Sequence, residues 1–162
     1  MDADDELYLL AQAVGLKLKQ TGLMLATAES CTGGWLAQCI TAVPGSSGWF
    51  DRGYVTYSNA AKTEMLGVEP GLIDRYGAVS EQVARAMAAG ALRNSDADIA
   101  IAITGIAGPG GGSLEKPVGT VWIALQRRGG AGVNRILVCM GKRETIRRLS
   151  VKMALKIMIC EV

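Results

Sequence analysis

The sequence predicts a single α/β domain, a mixed β-sheet flanked by helices on both faces. Three observations carry this. Short β-rich runs alternate with longer segments of helical periodicity. One run, Ile99-Ala-Ile-Ala-Ile103, is apolar at every position, as in a strand buried on both sides. Two late runs, Val118–Gln126 and Val133–Met140, flank a glycine-bearing turn and read as a hairpin, which adds an antiparallel pair. With 162 residues and 49% hydrophobic content the chain can bury one substantial core. No repeat or linker divides it, so one domain is expected over 1–162.

The elements follow in order. Asp4–Gln20 reads as an amphipathic helix, with Leu7, Leu10, Ala11, Val14 and Leu18 on one face and Thr21-Gly22 as its stop. Leu23–Ala28 is a strand, and a helix is expected from Thr32 to Ala42. Gly53–Tyr57 is a second strand. Ser58 caps a short helix ended by Gly67. Gly71–Gly77 connects, with a helical turn. Ser80 caps the helix Glu81–Asn94, whose inner face (Val83, Ala84, Met87, Ala88, Ala91) is small enough for close packing. The buried strand is Asp98–Ile103. The final helix, Arg143–Cys160, turns Ile146, Leu149, Met153 and Ile157 inward and Glu144, Arg148, Lys152 and Lys156 outward.

Composition excludes several classes. The chain has no histidine, and its four cysteines form no C-x-x-C pair, so no metal site is expected. The acidic start does not resemble a targeting sequence, and no apolar run reaches membrane-span length. A cytoplasmic protein with no membrane partner is expected. A net charge of +2 gives no footprint for nucleic acid. The basic cluster Lys142, Arg143, Arg147, Arg148, Lys152 and Lys156 reads first as a solvated helix face, and second as an anion or interface site.

Three stretches carry chemistry. In Ala28-Glu-Ser-Cys-Thr-Gly-Gly34, Ser30 sits on a strand-to-helix turn, where fresh backbone N–H groups can face what it attacks. A serine needs a base. Without histidine that base must be a lysine, a carboxylate or a tyrosine. Ser30 or Thr32 could instead cap the helix. Glu29 could orient a ligand or be a buried structural acid. Cys31 is a lesser candidate nucleophile. In the second stretch, Lys62 lies in the first turns of its helix, where the helix field and burial both favour a neutral amine. Ser58 and Lys62 form a rival pair at i, i+4. The third stretch, Thr104-Gly-Ile-Ala-Gly-Pro-Gly-Gly-Gly112, puts five glycines in nine residues directly after the buried strand. Its exposed N–H groups could wrap an anion, yet it is neither a P-loop nor a Rossmann fingerprint.

Five ordered blocks then match one family. They are Ala28–Gly34, Gly53-x-Val-Thr-Tyr-Ser-Asn-x-x-Lys62, Gly77-Ala-Val-Ser80, Thr104–Gly112 and Lys116-Pro-Val-Gly-Thr-Val121. Together they resemble the C-terminal domain of the competence/damage-inducible protein CinA, a family that includes stand-alone nicotinamide-nucleotide amidohydrolases. The resemblance covers nearly the whole chain and does not extend to CinA's N-terminal domain. It implies hydrolysis of the carboxamide of nicotinamide mononucleotide, giving nicotinic acid mononucleotide and ammonia, in pyridine-nucleotide recycling. It implies a serine nucleophile and a lysine at Ser30 and Lys62, Tyr57 as a proton relay, a binding hydroxyl at Thr104, and no metal or cofactor. Residues and resemblance together give one expected mechanism. The N–H groups around Thr32, Gly33 and Gly34 hold the oxyanion. Thr104, Gly105, Ala107, Gly108, Gly110 and Gly111 hold the ribose-phosphate. A homodimer is expected. The competing expectation is a non-catalytic nucleotide- or phosphate-binding module linked to competence or DNA damage.

Overall fold

The computed structural model describes residues 3–162. Five strands form one sheet in the order β2-β1-β3-β4-β5. The chain runs α1 (Ala3–Thr21), β1 (Leu25–Glu29), α2 (Trp35–Thr41), β2 (Phe50–Val55), α3 (Asn59–Leu66), α4 (Pro70–Tyr76) and α5 (Glu81–Arg93), with a 3₁₀ turn at Ser46–Gly48. It ends with β3 (Ile99–Gly105), β4 (Thr120–Arg127), β5 (Gly132–Val138) and α6 (Arg143–Glu161). β1 pairs in parallel with both β2 and β3, whereas β3–β4 and β4–β5 are antiparallel. The predicted mixed α/β sheet is therefore present.

Side-chain size sorts the two faces. Leu25, Ile99, Ile101, Ile103, Val121, Ile123 and Leu125 point into a core shared with α1, α2 and α6. On the other face Ala26, Ala28, Ala100, Ala102 and Ala124 meet α5, with Leu66 of α3 and Ile73 of α4 around it. Alternating large and small residues along one strand thus let α5 lie close while the opposite layer keeps bulky packing. The close approach extends to α3, because a Cβ on Gly90 of α5 would sit 2.0 Å from the Leu66 carbonyl oxygen. In an open helix Gly→Ala is stabilising. Here Gly90→Ala is expected to destabilise the fold by about 1–3 kcal/mol through overpacking. Urea unfolding checks this, and a midpoint at or above wild type would contradict it.

Several boundaries differ from the sequence reading. α2 starts at Trp35, not Thr32, because Gly33 and Gly34 take φ of +61° and +97°, outside the helical region. β2 lies at Phe50–Val55 rather than 53–57, since its pairing with β1 begins at Leu25↔Phe50. The Thr56 N–H still bonds the Glu29 carbonyl, and the chain then leaves the ladder. The segment after Gly67 holds a full helix, α4, opened by Pro70 at its first turn. β4 begins at Thr120, after a turn at Gly119, and β5 covers 132–138. α6 buries a broader stripe than the expected Ile146, Leu149, Met153 and Ile157, including Ser150, Val151, Ala154, Leu155 and Met158, because it packs against both α1 and the sheet. Arg148 and Lys152 are not free of the protein either, for both pair with Glu6 of α1.

Candidate active site

The order β2-β1-β3 makes the chain leave β1 on one side and return on the other. In open α/β sheets ligands bind beyond the carboxyl ends of strands at such a reversal. Ser30 follows β1, and Thr104–Gly105 close β3, side by side in the ladder. A cavity of about 230 Å³ opens there, lined by Ser30, Cys31, Tyr57, Asn59, Lys62, Ala78, Val79, Thr104, Gly105, Ala107 and Arg143.

The Ser30 turn is tightly determined. The Ser30 N–H bonds the Ile103 carbonyl at 3.0 Å, and the Gly33 N–H closes back on the Ser30 carbonyl at 3.1 Å. Glu29, only 1% exposed, turns its carboxylate onto the N–H groups of Leu36 and Ala37 at 2.9 and 3.0 Å. A residue from the end of β1 therefore caps α2 and occupies its positive end. This settles the two readings of Glu29 in favour of the structural acid. It also corrects the expectation that Ser30 or Thr32 caps α2. The cap position is Gly34, with no side-chain bond, and the buried Thr32 hydroxyl has no hydrogen-bond partner.

Lys62 reaches the turn from α3. Its Nζ lies 2.9 Å from Ser30 Oγ and donates to the carbonyls of Thr56 (2.9 Å) and Tyr57 (3.1 Å). Those carbonyls are the ones that β2 releases where it leaves the ladder. Both can only accept, so they fix two of the amine's hydrogens. Its remaining tetrahedral position faces Ser30, carrying a hydrogen in the ammonium and a lone pair in the neutral amine. Lys62 is 1% exposed, and among the described residues it joins no carboxylate in an ion pair. Burial of the ammonium accordingly holds its pKa below the ordinary lysine value of 10.5. The rival Ser58–Lys62 pairing is absent. Ser58 Oγ accepts from the Ala61 N–H at 3.0 Å as the cap of α3.

The other expected residues divide. Tyr57 touches Lys62 through its backbone carbonyl, while its phenol, on a residue 62% exposed, bonds Arg143 Nη2 at 3.1 Å. Thr104, buried, donates its hydroxyl to the Ala78 carbonyl at 2.9 Å and so fixes the segment before α5 against the cavity. Gly105 and Ala107 line the cavity; Gly108, Gly110 and Gly111 do not. The Gly108 carbonyl instead accepts from Arg143 Nη1 at 2.8 Å. Thr32, Gly33 and Gly34, which adjoin the lining residues Ser30 and Cys31 in the chain, are not themselves among the residues that line it. Cys31 is no thiolate, since burial pushes its pKa up to about 11. Among the described residues no cluster of His, Cys, Asp or Glu could hold a metal ion, and no helix is long and apolar enough to cross a membrane.

Sequence reasoning did not single out Arg143, Arg147, Asn59, Ala78 or Val79 as site residues. The two arginines belong to the basic cluster read first as a solvated face and second as an anion or interface site. Arg143 is instead at the cavity mouth, and Arg147 is bonded to the carbonyls of Cys31 and Thr32. Only the block Gly77-Ala-Val-Ser80 signalled that the segment before α5 matters.

Comparisons with known proteins place the chain in a family. Residues 8–162 match the family model described as the CinA C-terminal domain. The nicotinamide-nucleotide amidohydrolase PncC of Escherichia coli K12 is 52% identical over 153 residues, 94% of this chain and 93% of the relative. A CinA-like protein of Akkermansia muciniphila is 54% identical over 146 residues, which are 90% of this chain but 35% of that longer protein. Among solved structures, the competence/damage inducible protein CihA from Agrobacterium tumefaciens superposes with a TM-score of 0.92 at 46% identity, covering 96% of this chain and 94% of the other. An Escherichia coli protein of the CinA superfamily gives 0.90 at 40% identity, covering 96% and 91%. A family model matched over nearly the whole chain, and relatives about half identical along its length, make this chain a member of the CinA C-terminal domain family.

Proposed function

We propose that this chain hydrolyses the carboxamide of nicotinamide mononucleotide, with Ser30 as nucleophile and Lys62 as its base. The observation that carries the mechanism is the 2.9 Å contact between a buried, carboxylate-free amine and the Ser30 hydroxyl. The relatives named nicotinamide-nucleotide amidohydrolase supply the substrate. With two hydrogens held by Thr56 and Tyr57, neutral Lys62 presents its lone pair to the serine proton. Ser30 Oγ then bonds the amide carbon while Lys62 takes that proton. Collapse of the tetrahedral intermediate breaks the C–N bond, and Lys62 returns the proton to the departing ammonia. Water, deprotonated by the same amine, cleaves the acyl-serine to release nicotinic acid mononucleotide and restore Ser30.

The cavity volume of about 230 Å³ is below the range of roughly 300–1,000 Å³ usual for whole ligands. It suits the carboxamide-bearing ring, with the ribose-phosphate extending to the mouth, where Arg143 supplies a cation beside Tyr57 and Gly108. Remote binding of this kind fixes the amide against Ser30. Incubation of the purified protein with nicotinamide mononucleotide should release stoichiometric ammonia. Binding without ammonia would instead make the chain a nucleotide-binding module. Equal turnover of free nicotinamide would make it a different small-amide hydrolase.

A further inference from the structure

The turn that carries Ser30 is gripped from behind by α6. Arg147 donates Nε to the Cys31 carbonyl at 3.0 Å and Nη2 to the Thr32 carbonyl at 3.1 Å, and its guanidinium lies over the Trp35 ring at 5.4 Å. Ser30 and Cys31 line the cavity and Arg147 does not, so the guanidinium holds the turn from outside the cavity. In a trans peptide the N–H points opposite to the carbonyl. Drawing the Cys31 carbonyl toward Arg147 therefore turns the Thr32 N–H away from the guanidinium.

Several backbone donors near the serine are occupied. The Ser30 N–H is on Ile103, the Gly33 N–H is on Ser30, the Trp35 N–H is on Thr32, and the Leu36 and Ala37 N–H groups are on Glu29. Among the described residues the N–H groups of Cys31 and Thr32 make no hydrogen bond to another residue, although the two residues are only 6% and 0% exposed. Buried N–H groups without partners are rare. Next to a nucleophile they stand where an oxyanion needs donors.

We infer that Arg147 is a positioning residue for the reaction: by holding the Cys31 and Thr32 carbonyls it aims the Cys31–Thr32 backbone at the oxyanion. The inference rests on Ser30 being the nucleophile. A cation on the carbonyl end also polarises the peptide and strengthens its N–H as a donor. Its Nε and Nη2 are engaged by backbone and its face by Trp35, and it does not line the cavity, so the cation placed for the phosphate is Arg143 rather than Arg147.

The test compares full-length wild type, Arg147→Ala and Arg147→Lys on nicotinamide mononucleotide and on its phosphate-free riboside. A second assay follows Ser30-dependent p-nitrophenolate release from p-nitrophenyl acetate, which needs no nucleotide. Arg147→Ala is expected to lower kcat about 10–100-fold on both nucleotide and riboside with KM little changed. It should slow Ser30 acylation in parallel, and added methylguanidinium should restore part of the rate. Lysine, a single point donor, should recover only part. If the alanine variant fails to fold, the lysine variant carries the test, and wild-type kcat in it overturns the inference. A KM increase confined to the phosphorylated substrate also overturns it. If wild type releases no ammonia yet acylation depends on both Ser30 and Arg147, the amidase reading falls and the positioning role stands. Acylation independent of either residue removes the role.

Discussion

Ser30→Ala is expected to lower ammonia release from nicotinamide mononucleotide by roughly 10⁴–10⁶-fold, the range seen when a nucleophile is removed from a coupled catalytic unit. The same variant should still bind the nucleotide and fold. Among the described residues Ser30 Oγ has Lys62 and, at 3.4 Å, the Tyr57 carbonyl as partners, so its loss should cost no more than about 1–3 kcal/mol. Calorimetric binding beside an ammonia assay separates the possibilities. Activity within tenfold of wild type would remove Ser30 from the chemistry, and loss of binding would make it a substrate contact instead.

Lys62→Met is expected to be equally damaging to turnover, about 10⁴-fold or more, and to change the pH behaviour of both rate and stability. Only the neutral amine can accept the serine proton, so kcat/KM of wild type should climb with pH through the lowered Lys62 pKa and then level off. The residual rate of the variant should lack that limb. Stability follows the same group. Between its lowered native pKa and 10.5, the unfolded chain holds the lysine proton and the native chain does not. Raising the pH across that window therefore stabilises the native state, and lowering it forces a charge into the buried site. Methionine has no such proton. The Tm of wild type should thus gain on that of the variant as pH rises toward 10.5. Parallel Tm profiles would show that Lys62 does not change its pKa on folding.

Local chemistry was legible and non-local chemistry was not. Ser58, Gly67 and Ser80 announce helix ends by signals within a few residues, and the structure places them there. Ile99–Ile103 is a buried strand by composition alone. The lack of histidine narrowed the base of Ser30 to few residue types. Choosing between Ser30 and Ser58 needed a contact spanning 32 residues, which no spacing rule encodes. The start of α2 was misread because two left-handed glycines intervene and its cap comes from β1. Arg143 and Arg147 were illegible for a different reason. An arginine bonded to distant backbone and one in solvent look alike on an amphipathic helix.

Ser30 and Lys62 both lie within the first 62 residues, while the guanidinium that holds the turn after Ser30 comes from 116 residues beyond Cys31. A ribosome releases the Ser30–Lys62 pair long before α6, and a chain interrupted ahead of α6 would carry the former without the latter. Joining segments so far apart is entropically costly, and the packing of α6 on α1 and the sheet is what offsets it. Assembly of the working geometry is in this way deferred until the polypeptide's two ends have found each other.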